Sequence, residues 1–119
     1  MLKIKRIYEQ SSKEDGIRIL IDRLWPRGIS KENADLDDWS KEIAPTNELR
    51  KAFHQKEISF EAFEKAYLKE LAENPQAADF RAYIKKVLSE GNVTLLYGAK
   101  DTAHNQAVVL QEWLQNINN

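Results

Sequence analysis

The residues best suited to chemistry fall in two short segments, DRLWPRG at 22–28 and YGAKDTAHN at 97–105. The first puts Asp22, Arg23, Trp25 and Arg27 directly after the apolar run ILI. Arginine binds planar or tetrahedral oxyanions through paired N–H groups. Pro26 fixes its own backbone and pushes Trp25 towards an extended conformation, so the guanidiniums project from a stiff support. Trp25 can stack against one of them. The second segment offers Tyr97 as a hydrogen-bond donor, Gly98 for a tight passage, then Lys100, Asn105 and a helix start whose amides attract negative charge. Asp22, Asp101 and His104 are the groups suited to proton transfer. Together these residues describe a site for a small anion (phosphate, carboxylate or nucleotide), with Arg23, Arg27 and Lys100 supplying the charge.

Each of these residues also has a purely structural reading. Trp25 can be core, Asp22 can pair with Arg23 or Arg50 to close a sheet end, and Asp101 can cap a helix. His54 ends a helical segment, where an imidazolium suits the dipole. Two histidines without a matching carboxylate spacing make no metal site. There is no P-loop, dinucleotide glycine fingerprint or G-x-S-x-G elbow, so the sequence implies no cofactor.

The elements that must position these residues are legible in the periodicity. LKIKRIY (2–8) alternates and suits a half-exposed strand, while IRILID (17–22) is apolar on both faces and suits a central one. NVTLLYG (92–98) is a third, buried strand. Between residues 36 and 90 the period lengthens to that of helices. Leu36, Trp39 and Ile43 form one stripe, ended by Pro45. Thr46 caps a second helix in which Leu49, Ala52 and Phe53 face inward. Ser59 caps a third, with Ile58 and Phe63 spaced as a hydrophobic staple and Phe60, Tyr67 and Leu71 on its buried side. Asn74-Pro75 opens a fourth helix, carrying Phe80, Ile84, Val87 and Leu88, that Gly91 stops. The last helix is expected to start near Asp101 or Thr102 and to bury Ala103, Ala107, Leu110, Leu114 and Ile117. The sum is an α/β fold: a small, mainly parallel sheet of three or four strands, covered by about five helices in a single layered domain over residues 1–119. Strand 93–97 should run parallel to 17–22, because the helical excursion supports a crossover. The direction of the first strand is open. If the two central strands are neighbours, both chemical segments lie at their carboxyl ends, where ligands of open α/β sheets collect.

The net charge of −1 gives no general attraction to nucleic acid or membrane. It hides a gradient: residues 1–31 carry eight Lys/Arg against four Asp/Glu, and residues 32–64 carry four against nine. The chain has no cysteine, which removes disulfides, a thiol nucleophile and thiolate zinc sites, and fits a cytoplasmic location. No run approaches a membrane span. Two other partner classes compete with a small anion. A nucleic acid would use Lys3, Lys5, Arg6, Arg18 and the arginine turn, and a protein partner would use Trp25, Trp39 or Trp113 as anchor. Oligomeric state is open, a homodimer included, with Trp113 on the flank of the last helix.

Over DGIRILIDRLWPRGISKENADLDDWSKEIAPTNELRKAFH and VTLLYGAKDTAHNQAVVLQEWL the sequence resembles the YeaO-like proteins, a branch of the bacterial DUF488 family of unknown function. The resemblance covers nearly the whole chain and implies a compact α/β fold, with no established activity. Other branches carry a cysteine at the strand end and a Cys-His-Arg run in the following helix. Here those places hold Tyr97 and Asn105-Gln106-Ala107, so thiol- or metal-dependent functions do not carry over. Asp22 and Arg23 resemble an Asp-x-Arg-like strand end in those relatives.

Overall fold

The computed structural model of the protein describes residues 1–116. Four strands form one sheet: β1 (Leu2–Arg6), β2 (Ile17–Leu20), β3 (Asp38–Trp39) and β4 (Val93–Tyr97). Their order is β1-β4-β2-β3, and every neighbouring pair is parallel. The open question of β1 is thereby answered. It lies on the far side of β4, in register Leu2 with Val93 through Arg6 with Tyr97. The expected neighbours β2 and β4 pair from Ile17–Val93 to Leu20–Leu96.

The helices are α1 (Lys31–Ala34), α2 (Asn47–His54), α3 (Phe60–Glu73), α4 (Ala77–Leu88) and α5 (Gln106–Gln115). Thr46 and Ser59 cap α2 and α3 as expected, each accepting the amide three residues on. One sheet face packs Ile19, Ile21, Leu95 and Tyr97 against Phe63, Tyr67, Ile84 and Leu110 of α3, α4 and α5. The opposite face, carrying Leu20, Leu96 and Ile7, is covered by residues 25–39, with Trp25, Ile29, Ala34, Leu36 and Trp39 packed on it.

Three expectations are corrected. The helix anticipated through Leu36, Trp39 and Ile43 does not form; α1 closes at Asp35, whose φ is +49°, and residues 38–39 become the edge strand β3. The free edge of β2 recruits this segment: the amide of Asp37 donates to the Arg18 carbonyl and that of Ser40 to the Leu20 carbonyl, both at 2.9 Å. Leu36 and Trp39 pack on one face of the sheet and Ile43 on the other, so their helical spacing reflected no common face. Second, α4 begins at Ala77 rather than at Pro75, because Asn74 uses its side chain to hold the Gln76 amide in a turn of its own. Third, α5 begins at Gln106, and Ala103 is exposed. Ile117 lies outside the described residues.

Candidate functional site at the carboxyl ends of the central strands

The two chemical segments meet. Asp22 follows β2, and its Oδ2 accepts the Gly98 amide at 2.9 Å, tying the end of β2 to the turn after β4. Its Oδ1 accepts from Gln106 Nε2 at the start of α5, and its carbonyl accepts from Trp39 Nε1 at 2.7 Å. A Cβ on Gly98 would stand 3.1 Å from the carboxylate, so glycine gives the strut its room. Burial pushes the Asp22 carboxyl up to about 6, more than the Gly98 and Gln106 bonds and the charge of Arg50 hold it down. Neither Arg23 nor Arg50 forms an ion pair with it among the described residues.

The arginine turn divides. Arg23 turns towards the segment before α2, donating from Nε to the Pro45 carbonyl at 2.9 Å and from Nη2 to the Ala44 carbonyl at 3.0 Å. It borders a hollow of about 260 Å³ that also meets Glu42, Thr46, Tyr67, Glu70 and Glu73. Three carboxylates against one guanidinium give an anion no net attraction there. Trp25 is partly buried on the second sheet face; its Nε1 donates to the Ile29 carbonyl at 2.8 Å, and its ring meets Trp39 edge-on at 5.3 Å. Arg27 is exposed, and its side chain has no hydrogen-bond partner among the described residues. The Tyr8 hydroxyl holds the Arg27 carbonyl at 2.9 Å, and the Tyr8 ring lies against Gly98.

On the other segment, Tyr97 is buried, which raises its phenol above the ordinary value. Lys100 is exposed and has no hydrogen-bond partner among the described residues. The amides expected to lie open at this helix start are taken. Asp101 Oδ1 accepts those of Ala103 and His104, and the buried Asn105 accepts those of Ala107 and Val108. The Ala103 amide and the histidine beside it hold the Asp101 carboxyl below its usual range. His104 Nδ1 lies 3.1 Å from Asp101 Oδ2, and its ring meets Phe60 edge-on at 5.0 Å. Asp101 and His104 thus form a pair on the exposed turn, while Asp22 reaches the chain there only through Gly98 and Gln106.

Three participants lie outside the anion site expected from the sequence: Arg6, expected only in a basic stripe, Arg50, expected only as an ion-pair partner of Asp22, and Tyr8. Arg6 donates to the carbonyls of Ala99 (2.8 Å) and Gly98 (3.2 Å) and lies 4.8 Å from the Tyr8 ring centre. Tyr8 itself was read only as a strand end. Arg50 has a buried Nε without a partner among the described residues. The signal for Arg6 and Tyr8 was present, since β1 also ends at this rim, but only the sheet order puts β1 beside β4. The other basic N-terminal residues are engaged internally: Lys3 holds the Glu14 carbonyl, Lys5 meets Asp15, and Arg18 is buried against Asp15. Of the tryptophans, Trp25 and Trp39 hydrogen-bond within the fold, and Trp113 lies beneath Arg81, whose guanidinium carbon is 3.9 Å from the ring centre. No group of three or more metal-ligating side chains occurs among the described residues, and none of their helices is long and apolar enough to cross a membrane.

The family model described as the inactive DUF488-N3 subclade matches residues 1–118. The uncharacterised protein YeaO of Escherichia coli (strain K12) is 47% identical over 116 residues, covering 98% of either chain. The uncharacterised protein Rv3073c of Mycobacterium tuberculosis (strain ATCC 25618 / H37Rv) and Mb3100c of Mycobacterium bovis are each 33% identical over 113 residues, 95% of this chain and 92% of theirs. No solved structure matches. The chain belongs to the YeaO-like DUF488 family.

Proposed function

We propose that this member of the DUF488-N3 subclade is a cytoplasmic, single-domain binding protein for a small anion, a phosphate or carboxylate, held where the segments 22–28 and 97–105 come together. The observation that carries the reading is the division of labour at that rim. Asp22, Arg23, Asp101 and Asn105 each hold part of the chain's own backbone, while Arg27 and Lys100, on the two joined loops, keep their charges uncommitted among the described residues. Arg50 adds positive potential at Asp22. Binding rather than turnover is favoured because the subclade is described as inactive and because the carboxyl best placed for proton transfer, Asp22, already accepts two internal bonds. Asp101 and His104 then shape the turn that presents Lys100.

Titration calorimetry with inorganic phosphate at low ionic strength tests this. Arg27→Ala and Lys100→Ala should each weaken binding by up to about fivefold, the scale of an exposed charge pair, and added salt should weaken it further. Absence of phosphate binding, or affinity indifferent to both substitutions, would overturn the reading.

A further inference from the structure

At the rim just described, Tyr8 stands out as an aromatic side chain that is both open and fixed. It keeps 43% of its surface exposed. Its hydroxyl is held by the Arg27 carbonyl at 2.9 Å, and its ring edge lies over Gly98, within 3.9 Å of where a Cβ would stand. The guanidinium of Arg6 sits 4.8 Å from the ring centre and is itself pinned by the carbonyls of Gly98 and Ala99. The turn beneath is closed by the Arg6 amide on Glu9 Oε2 and the Glu9 amide on the Arg6 carbonyl. Exposed tyrosines ordinarily lose rotamer freedom when a ligand covers them; this one has already lost it in folding, so contact with it carries a smaller entropic penalty. It also bridges the loop that carries Arg27 and the loop that carries Lys100. A guanidinium against an aromatic ring adds a cation–π attraction that steadies the ring further.

We propose that Tyr8 is a stacking platform and that the ligand of this site joins a flat aromatic ring to its anionic group, as a nucleoside monophosphate or an aromatic carboxylate does. The inference rests on the anion-binding reading above and names its substrate class. The anionic group meets Arg27 and Lys100, and the ring lies on Tyr8. Stacking on an aromatic side chain is sequence-tolerant and strong enough to raise affinity about fivefold to a hundredfold over the anion alone.

The test compares inorganic phosphate, adenosine 5′-monophosphate and benzoate by calorimetry on the wild-type chain, Tyr8→Leu and Tyr8→Phe. At least one ring-bearing anion should bind about fivefold or more tightly than phosphate. Tyr8→Leu should remove that advantage, and Tyr8→Phe, which loses the same bond to Arg27 but keeps the ring, should retain most of it; any loss of phosphate affinity should be equal in the two variants. The nucleotide and the carboxylate arms separate the two sources of such a ligand. If phosphate binds and neither ring-bearing anion binds better, or if Tyr8→Leu weakens all three alike, the platform is wrong and the anion site stands. If none of the three binds, the anion site is wrong and the platform falls with it.

Discussion

Asp15 and Asp22 lie at opposite ends of β2, one just before it and one just after, and the chain treats the two carboxyls in opposite ways. Asp15 is buried among cations: Lys5 Nζ is 3.1 Å from one oxygen, Arg18 Nη1 donates to the other, and the Ser12 amide adds a third donor. Burial pushes its pKa up, but the Ser12 amide, Lys5 and Arg18 together outweigh that and hold it below the ordinary 3.8. Arg18 is in turn satisfied by the carbonyls of Ala34 and Asp35. Asp22 receives only neutral donors, and Arg50 acts on it through space, so burial wins and the carboxyl rises to about 6. The amino end of the sheet is a closed ionic clamp. The carboxyl end keeps an under-compensated acid where it ties together the loops that carry the exposed Arg27 and Lys100, at a cost in stability.

The largest expected effect comes from breaking the clamp. Asp15→Ala leaves the Arg18 guanidinium buried beside carbonyls alone, and should cost about 3–5 kcal/mol in urea unfolding. A loss below about 1 kcal/mol would mean that the two ends do not differ as described.

The opposite sign is expected at Asp22. Folding raises its pKa from 3.8 to about 6, so between those values the folded protein holds a proton that the unfolded chain has released. Stability therefore falls as pH rises through that window, and the deficit is complete above it. Asp22→Asn removes the charge, and a turned Gln106 amide can still meet it. The variant should be about 1–3 kcal/mol more stable than wild type at about pH 8 and indistinguishable from it at about pH 4. Asp15, with its lowered pKa, contributes the reverse dependence: stability present above 3.8 and lost as pH falls below it. A stabilisation by Asp22→Asn that is the same at both pH values would show that the carboxyl is not the cause.

The smallest effect sharpens the account of what restrains Asp22. Gln106→Ala deletes the side-chain donor to its carboxylate, leaving the Gly98 amide, and should cost no more than about 1 kcal/mol. It should also move the Asp22 titration midpoint, read by carbon NMR, upward by about half a unit or more. A downward shift would show that Gln106 stabilises the protonated acid.

The path from sequence to this site was uneven for reasons visible in single residues. Ile19, Leu20, Leu95 and Leu96 are apolar on both sides of their strands, and a strand buried on both faces reads that way in any context. Thr46 and Ser59 act on amides three residues away, so their capping was readable too. Leu36, Trp39 and Ile43 were misread because a free strand edge outcompeted local helical spacing. The start of α5 was misplaced because Asp101 and Asn105 are both capping residues, and the amides each captures depend on the turn between them. Nothing local marks Arg23 as turning towards Ala44 and Pro45 while Arg27 stays free, since the two share a residue type and a loop.

By itself the sequence determined the α/β class, the two central strands, most of the helices and the clustering of charged groups after those strands, because these depend on periodicity and on contacts a few residues long. Only the tertiary structure decided that β1 joins the same rim, that residues 38–39 are a strand, and which charges remain open there. Those outcomes turn on partners such as Asp22 with Gly98, or Tyr8 with Arg27, that are far apart along the chain. Hydrogen-bond satisfaction and burial are properties of such pairs, and no window of sequence contains both members.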